Sequence, residues 1–159
     1  MESDKRQPLI ERIRAFPGQL ELLVTGLTPT ELTSHPLRDE WSVAQNIHHL
    51  ADEHANMLLR CKFVVAEDKP LLVNIEQDAW AALPDSNDPV IEDARALLRA
   101  AHARIARFFE ARSEADWQCE GVHTRRGLRT LEHMLIGLAE HCDAHLIQIT
   151  NTLAARSTH

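Results

Sequence analysis

The stretch LEHMLIGLAEHCDAHLIQITNTL, residues 131–153, decides the fold of this 159-residue chain. At about 100° per residue its apolar side chains fall on one stripe, which predicts a long helix packed against a core. The stripe consists of Leu131, Leu135, Leu138, Cys142, Ile149 and Leu153. His141 and His145 lie one helical turn apart at the edge of this stripe, where a pocket between helices can form. Both imidazoles can reach one metal ion from there.

Two capping boxes predict where other helices begin. Thr28 with Glu31 opens a short helix, and Ser42 with Gln45 opens a long one that runs over about residues 43–66. In each box the first side chain accepts a hydrogen bond from the backbone of the third helical residue, and that residue's side chain accepts one in return.

Two further long helices are predicted from proline and glycine signals. The first covers about residues 8–25 and ends at Gly26. Another begins at Pro89 with Asp88 as its cap. A long connection over residues 70–88 therefore separates the second and third long helices. A polar loop with two glycines precedes the last helix.

Four long helices with few strand signals predict an all-α fold. The expected architecture is a four-helix bundle with the long connection between its second and third long helices, and it forms a single domain over residues 1–159.

Composition excludes several classes of protein. The net charge of −7 argues against a nucleic-acid-binding protein, which needs a basic face. No apolar run approaches the roughly 20 residues of a membrane span, and the polar start of the chain is unlike a signal peptide. Three cysteines without close pairs favour a reduced, cytoplasmic chain over a disulfide-linked one.

The second long helix offers three candidate partners for the histidine pair. His54 projects into the apolar stripe and is predicted to be a core residue. His48 and His49 flank that stripe on opposite sides, so periodicity does not choose between them. His49 shares its face with Glu53 and Arg60, and a polar face with a carboxylate one turn away favours it slightly.

The other histidines are predicted to lie at the surface. They are His35, His102, His123, His133 and His159, of which His123 is the one that could fold over a site. The HxxxH spacing alone is a weak signal because it arises by chance in a histidine-rich chain. Cys142 also stands where zinc proteases carry a glutamate.

Several motifs, taken in order, resemble those of the DinB-like (YfiT-type) superfamily of metal-dependent hydrolases, and they cover nearly the whole chain. The first is Trp41-Ser42 with a histidine eight residues after the tryptophan, which is His49 and not His48, followed by leucine. The second is the His-x-x-x-His-x-x-Gln-Ile pattern of residues 141–149. Between them lie weaker matches: PLLVNIEQDAW at 70–80, LLR at 97–99, DW at 116–117, GL at 127–128 and TL at 130–131.

The resemblance implies a four-helix bundle that binds one divalent ion per chain through His49, His141 and His145. Three histidine ligands leave a coordination position open, which is typical of catalytic sites, and imidazole suits zinc and nickel equally. Glu53 is the candidate general base. Gln148 is a candidate for orienting a ligand or a histidine, and Arg60 for pairing with Glu53 or binding an anionic substrate.

Two functions from different classes follow from this resemblance. The first is an enzyme acting on a small molecule, either a metal-dependent hydrolase or a thiol S-transferase, since similar proteins use low-molecular-weight thiols such as bacillithiol and mycothiol. The alternative is a non-catalytic metal-binding protein with a stress-response or interaction role. Apart from the resemblance, a helical interaction module that binds no metal is a third possibility. A homodimer is expected, because helical bundles of this kind commonly associate through a helix face.

Overall fold

The computed structural model describes residues 3–156, and it confirms the all-α four-helix bundle. The four long helices are α1 (Ser3–Val24), α3 (Val43–Ala66), α5 (Glu92–Glu110) and α6 (Leu131–Arg156). Two short helices, α2 (Pro29–Thr33) and α4 (Gln77–Ala81), lie in the connections. The surface prediction for His159 concerns a residue outside the described part of the chain.

The long helices are arranged so that α1 packs against α5 and α6, and α3 packs against the same two helices. Helices α1 and α3 therefore occupy opposite corners of the bundle, as do α5 and α6, whereas α3 and α5 are neighbours. In a simple up-and-down bundle every pair of consecutive helices is adjacent. The apolar part of the core includes Ile13, Phe16, Leu50, Ile105 and Leu135, all completely buried.

The predicted capping boxes are both present. Ser42 Oγ accepts from the Gln45 backbone N–H at 3.1 Å, and the Ser42 N–H donates to Gln45 Oε1 at 2.9 Å. The box formed by Thr28 and Glu31 opens α2 in the same way. These local bonds fix the start of α3, and so the height at which its histidines enter the bundle.

Two helix starts differ from the sequence prediction. Helix α1 begins at Ser3 instead of about residue 8, and the nearly buried Arg6 fixes its first turns by binding Glu114 at 2.7 Å and Glu132 at 3.0 Å. The prediction that Asp88 caps a helix starting at Pro89 is wrong, because α5 begins at Glu92. The Asp88 carboxylate instead accepts from the N–H two residues on, at 2.8 Å, and forms a turn.

The predicted connections contain a small sheet. Strand β1 (Leu71–Leu72) pairs in parallel with β2 (Glu120–His123), which pairs antiparallel with β3 (Gly127–Thr130). A Cβ on Gly121 would lie 2.9 Å from the Leu72 side chain, so glycine allows β2 to approach β1. The strands β2 and β3 form the β-hairpin that packs against α3 and α6.

Single 3₁₀ turns occupy Pro84–Asn87 and Asp116–Gln118. Among residues 3–156, none of the helices is both long enough and apolar enough to span a membrane.

Candidate metal centre

Three histidines predicted from the sequence converge between α3 and α6. The Nε2 atom of His141 lies 3.4 Å from that of His49 and 3.1 Å from that of His145. Imidazole nitrogens that bind one tetrahedral ion at about 2.0 Å lie about 3.3 Å apart, so the observed separations suit a common ion. His49 and His145 are buried and His141 is half-buried.

Hydrogen bonds fix the tautomer of His145. Asn46 donates its amide N–H to the Ser42 carbonyl at 2.9 Å, which turns its Oδ1 atom toward His145. That oxygen lies 2.7 Å from His145 Nδ1 and can only accept, so Nδ1 carries the proton. The Nε2 atom of the neutral ring is left with a free lone pair.

A chain of imidazoles fixes the tautomer of His141 by the same logic. The Ile13 carbonyl accepts from His102 Nδ1 at 2.6 Å, which leaves His102 Nε2 as an acceptor. His54 Nδ1 donates to that nitrogen at 2.7 Å, and His141 Nδ1 donates to His54 Nε2 at 2.9 Å. Each donor is set by the one before it, so Nε2 of His141 also carries a free lone pair.

The first acceptor of this imidazole chain exists because of Pro17. In an α-helix the carbonyl of residue 13 normally accepts from the N–H of residue 17, but proline has none. The Ile13 carbonyl is therefore free to accept from His102, whose ring also stacks on Phe16 with centroids 5.0 Å apart.

The donor set fits a cation. Two Nε2 atoms that both carry lone pairs face each other at 3.1 Å, and neither can donate a hydrogen bond to the other. Such a contact between neutral imidazoles is repulsive unless a positive charge lies between them. Three converging neutral imidazoles, two of them with fixed partners on Nδ1, are the donor set that divalent zinc and nickel favour.

Protonation does not supply that charge near neutral pH. Burial lowers the pKa of His49 and of His145 to about 4. Burial and the two neighbouring imidazoles lower the pKa of His141 to about 3. All three rings are therefore neutral at pH 7 and available as ligands.

Trp41 lies against two of these rings. It meets His49 edge-on at a centroid distance of 4.9 Å and stacks on His145 at 6.1 Å. The capping box places Trp41 directly before α3, so one short segment supplies the tryptophan and starts the helix that carries His49.

A cavity of about 420 Å³ opens beside His49 and His141. Glu53 and Arg60, one and three turns further along α3 from His49, line it and form a salt bridge at 3.1 Å. Burial raises the pKa of Glu53, and the charge of Arg60 opposes that rise. The second carboxylate oxygen of Glu53 is buried without a hydrogen-bond partner among the described residues.

Gln148, the third predicted non-ligand residue, lies elsewhere. It follows His145 by one turn, donates to Glu40 Oε2 at 3.0 Å, and is not among the residues that line the cavity. The structure therefore brings Glu53 and Arg60, but not Gln148, to the cavity. His48, the rival of His49, faces away and contacts the Asp88 carbonyl at 3.0 Å.

The surface prediction for His102 is wrong, because its side chain is only 1% exposed. A signal was available: His102 follows the buried Leu98 by four residues and precedes the buried Ile105 by three, which places it on the apolar stripe of α5. His54 lies in the core as predicted and is fully buried.

Comparisons with known proteins identify the family and the fold of this chain. A family model described as the DinB superfamily matches residues 12–149. A relative from Geobacillus thermodenitrificans, named provisionally as a metal-dependent hydrolase, is 41% identical over 110 residues. The match covers 69% of this chain and 61% of the relative, so the chain spans about three fifths of that relative's length.

Two solved structures share the fold. YfiT from Bacillus subtilis, described provisionally as a metal-dependent hydrolase with an unusual four-helix bundle topology, superposes with a TM-score of 0.91 and 25% identity over 96% of this chain and 87% of YfiT. A mycothiol-dependent maleylpyruvate isomerase superposes with a TM-score of 0.71 and 16% identity over 94% of this chain and 61% of the isomerase.

Proposed function

Because this chain belongs to the DinB superfamily, we propose that it is a metal-dependent enzyme acting on a small molecule, with His49, His141 and His145 holding one divalent ion at the cavity. The observation that carries the proposal is the contact between two unprotonated Nε2 atoms at 3.1 Å, which needs a cation. When bound, such an ion lowers the pKa of a coordinated water or thiol and polarises a carbonyl group.

The residues around the ligands hold them ready for the ion. Asn46 accepts a hydrogen bond from the Nδ1–H of His145, and His54 accepts one from the Nδ1–H of His141. Both rings therefore present an unprotonated Nε2 atom without rearrangement. Trp41 covers two of the rings away from the cavity. Substrate therefore approaches from the cavity, beside His49 and His141.

Glu53 is the proposed general base. Its raised pKa makes the carboxylate more basic than usual, and its side chain lines the cavity, where it can take a proton from a bound molecule. Arg60 holds one carboxylate oxygen and keeps the carboxylate in place. Gln148 lies outside the cavity, where orienting His145 is the role open to it.

Hydrolysis is the reaction proposed first, on the names of the relatives, and transfer of a low-molecular-weight thiol is the alternative. The shared fold of the mycothiol-dependent isomerase supports the alternative. We propose zinc or nickel as the ion. A homodimer in a reducing cytoplasm is proposed as well, and the three free cysteines suit such a compartment.

Metal-dependent turnover tests the function. Protein purified without an affinity tag is depleted of metal, reloaded with zinc or nickel, and assayed for hydrolysis of nitrophenyl esters and for consumption of a small thiol with an aryl halide. Activity should follow metal content and should be lost in His145→Ala. The matched control is His48→Ala, a histidine of α3 that faces away from the site.

Two results would overturn the proposal. One is turnover that is equal in the metal-free and reloaded proteins. The other is full metal content in His145→Ala. Bound metal without turnover in either assay would favour the non-catalytic, metal-binding alternative.

A further inference from the structure

Two parts of the fold supply the polar lining of the cavity. The long helices supply His49 and His141, and the β-hairpin supplies His123, Arg126 and Arg129. Apolar side chains such as Leu72 and Met134 also line the cavity. A small molecule in the cavity can therefore touch the ligand histidines with one end and the hairpin with the other.

The two hairpin arginines lack an acidic partner. Within residues 3–156 no carboxylate forms a salt bridge with Arg126 or Arg129, and the buried Nε of Arg129 donates to no acceptor. The neighbouring Arg125, by contrast, binds Glu76 at 2.7 Å. Arg129 lines the cavity and has an unpaired N–H group, so its guanidinium gains by binding a molecule that carries hydrogen-bond acceptors.

The cavity is also more positive than the protein around it. Three arginines and two glutamates line it, whereas the whole chain carries a net charge of −7. The charge of Arg60 is already compensated by Glu53 at 3.1 Å. Low-dielectric walls strengthen a positive field and raise the local concentration of anions.

We infer that the substrate carries a carboxylate, which Arg126 and Arg129 bind while the reactive end lies toward His141. The planar guanidinium fork matches a carboxylate, and the two lining glutamates oppose a ligand with a second negative charge at the same place. The part of this inference that concerns the reactive end of the substrate rests on the proposed function. The binding of the carboxylate by the two arginines does not depend on a metal.

A matched pair of thiols tests this inference. The protein is loaded with Co²⁺, and the thiolate-to-cobalt absorption band is titrated with 3-mercaptopropionate and with its neutral amide, 3-mercaptopropionamide. Charge-assisted hydrogen bonds should make the anionic thiol bind at least about tenfold more tightly. The preference should disappear in the Arg126→Gln/Arg129→Gln variant, with the affinity for the amide unchanged. Arg125→Gln should keep the full preference.

Equal dissociation constants for the two thiols on the unaltered protein would overturn the inference and leave the metal site intact. Arg126 is exposed, so Arg126→Gln alone gives a folded variant if the double substitution does not. If Co²⁺ is not bound, the proposed function fails, and the inference is then tested on the metal-free protein. There the Arg129 Nε–H resonance should shift with 3-mercaptopropionate and not with the amide. No shift with either probe would contradict the inference.

Discussion

Two clusters of potential metal ligands lie side by side in this bundle, and they differ in what their nitrogens do. The open cluster is His49, His141 and His145, and the closed cluster is His54, His102 and Cys142. Within each, the three candidate ligand atoms lie within 4.8 Å of one another. Distance and residue type alone would mark both as metal sites.

Hydrogen bonding separates the two clusters. Both nitrogens of His54 and both of His102 are used in the imidazole chain that runs from Ile13 to His141. Burial raises the pKa of Cys142 far above its usual value, so it stays a thiol and a poor ligand. The imidazole nitrogens of the closed cluster are therefore all used in hydrogen bonds and are not available to a metal. The same hydrogen bonds place the proton of His141 on Nδ1, which leaves its Nε2 lone pair for the open cluster.

Acid gives the largest expected effect, and it acts on both clusters. Burial lowers the pKa of His102 to about 4, and burial with the neighbouring imidazoles lowers that of His54 well below its usual value. As the pH falls, these histidines take up protons at about pH 6.5 in the unfolded chain and only at lower pH in the folded protein. The free energy of unfolding therefore falls as the pH drops from about 6.5 toward 4. The expected loss is roughly 1.4 kcal/mol per buried histidine and pH unit.

Urea unfolding of metal-free protein at pH 7.5, 6.5 and 5.5 measures this effect. Stability should be constant above about pH 7. A free energy of unfolding that does not change between pH 7.5 and 5.5 would show that the buried histidines hold protons in the folded state, and the tautomers assigned here would be wrong.

His102→Phe breaks the closed cluster. Phenylalanine keeps the stacking on Phe16 but leaves the His54 N–H and the Ile13 carbonyl buried without partners. The free energy of unfolding should fall by about 3 kcal/mol. Metal affinity should fall about tenfold, because the tautomer of His141 is no longer fixed. Urea unfolding and metal titration measure the two effects. An unchanged metal affinity would show that the closed cluster does not influence metal binding by the open cluster.

His49→Ala breaks the open cluster. Compared with His102→Phe, it should reduce metal affinity more and protein stability less. Metal affinity should fall at least about a hundredfold, equivalent to about 2.7 kcal/mol. The free energy of unfolding of the metal-free protein should change by less than about 1 kcal/mol. Among the described residues, no backbone carbonyl is left without a donor by this substitution, as the Ile13 carbonyl is when His102 is replaced. His48→Ala is the matched control. A larger stability loss for His49→Ala than for His102→Phe would reverse the comparison.

Cys142→Ala gives the smallest expected effect. It removes the only sulfur of the closed cluster and leaves a small cavity, at a cost of roughly 1 kcal/mol. Metal content, measured by elemental analysis, should remain one ion per chain. A fall in bound metal would show that the closed cluster also holds an ion.

Local signals made much of the fold predictable from the sequence. The box of Ser42 and Gln45 involves neighbours in the chain, so its hydrogen bonds can be inferred from spacing alone. The stripe of α6 likewise predicted that Cys142 is buried, and it placed His141 and His145 at its edge.

Long-range contacts explain what the sequence did not show. The start of α1 depends on Arg6 binding Glu114, more than a hundred residues away. The β-hairpin was assigned to a polar loop because its strands have only four residues each, too few for an alternating pattern, and because β1 pairs with it from 50 residues earlier. The spacing of α5 indicates that His102 is buried, but its two hydrogen-bond partners lie on α1 and α3 and cannot be inferred from that spacing.

Pro17 gives one helix an influence on chemistry that it does not touch. By withholding a single N–H, it directs the Ile13 carbonyl to His102, and the order of protons along three rings follows from that carbonyl. Coupling between two binding events is reciprocal. If the order of protons increases the affinity for the ion, the bound ion therefore strengthens the packing of α1 on α5 by the same free energy. The first helix thereby becomes a thermodynamic partner of the metal, although none of its side chains is a ligand.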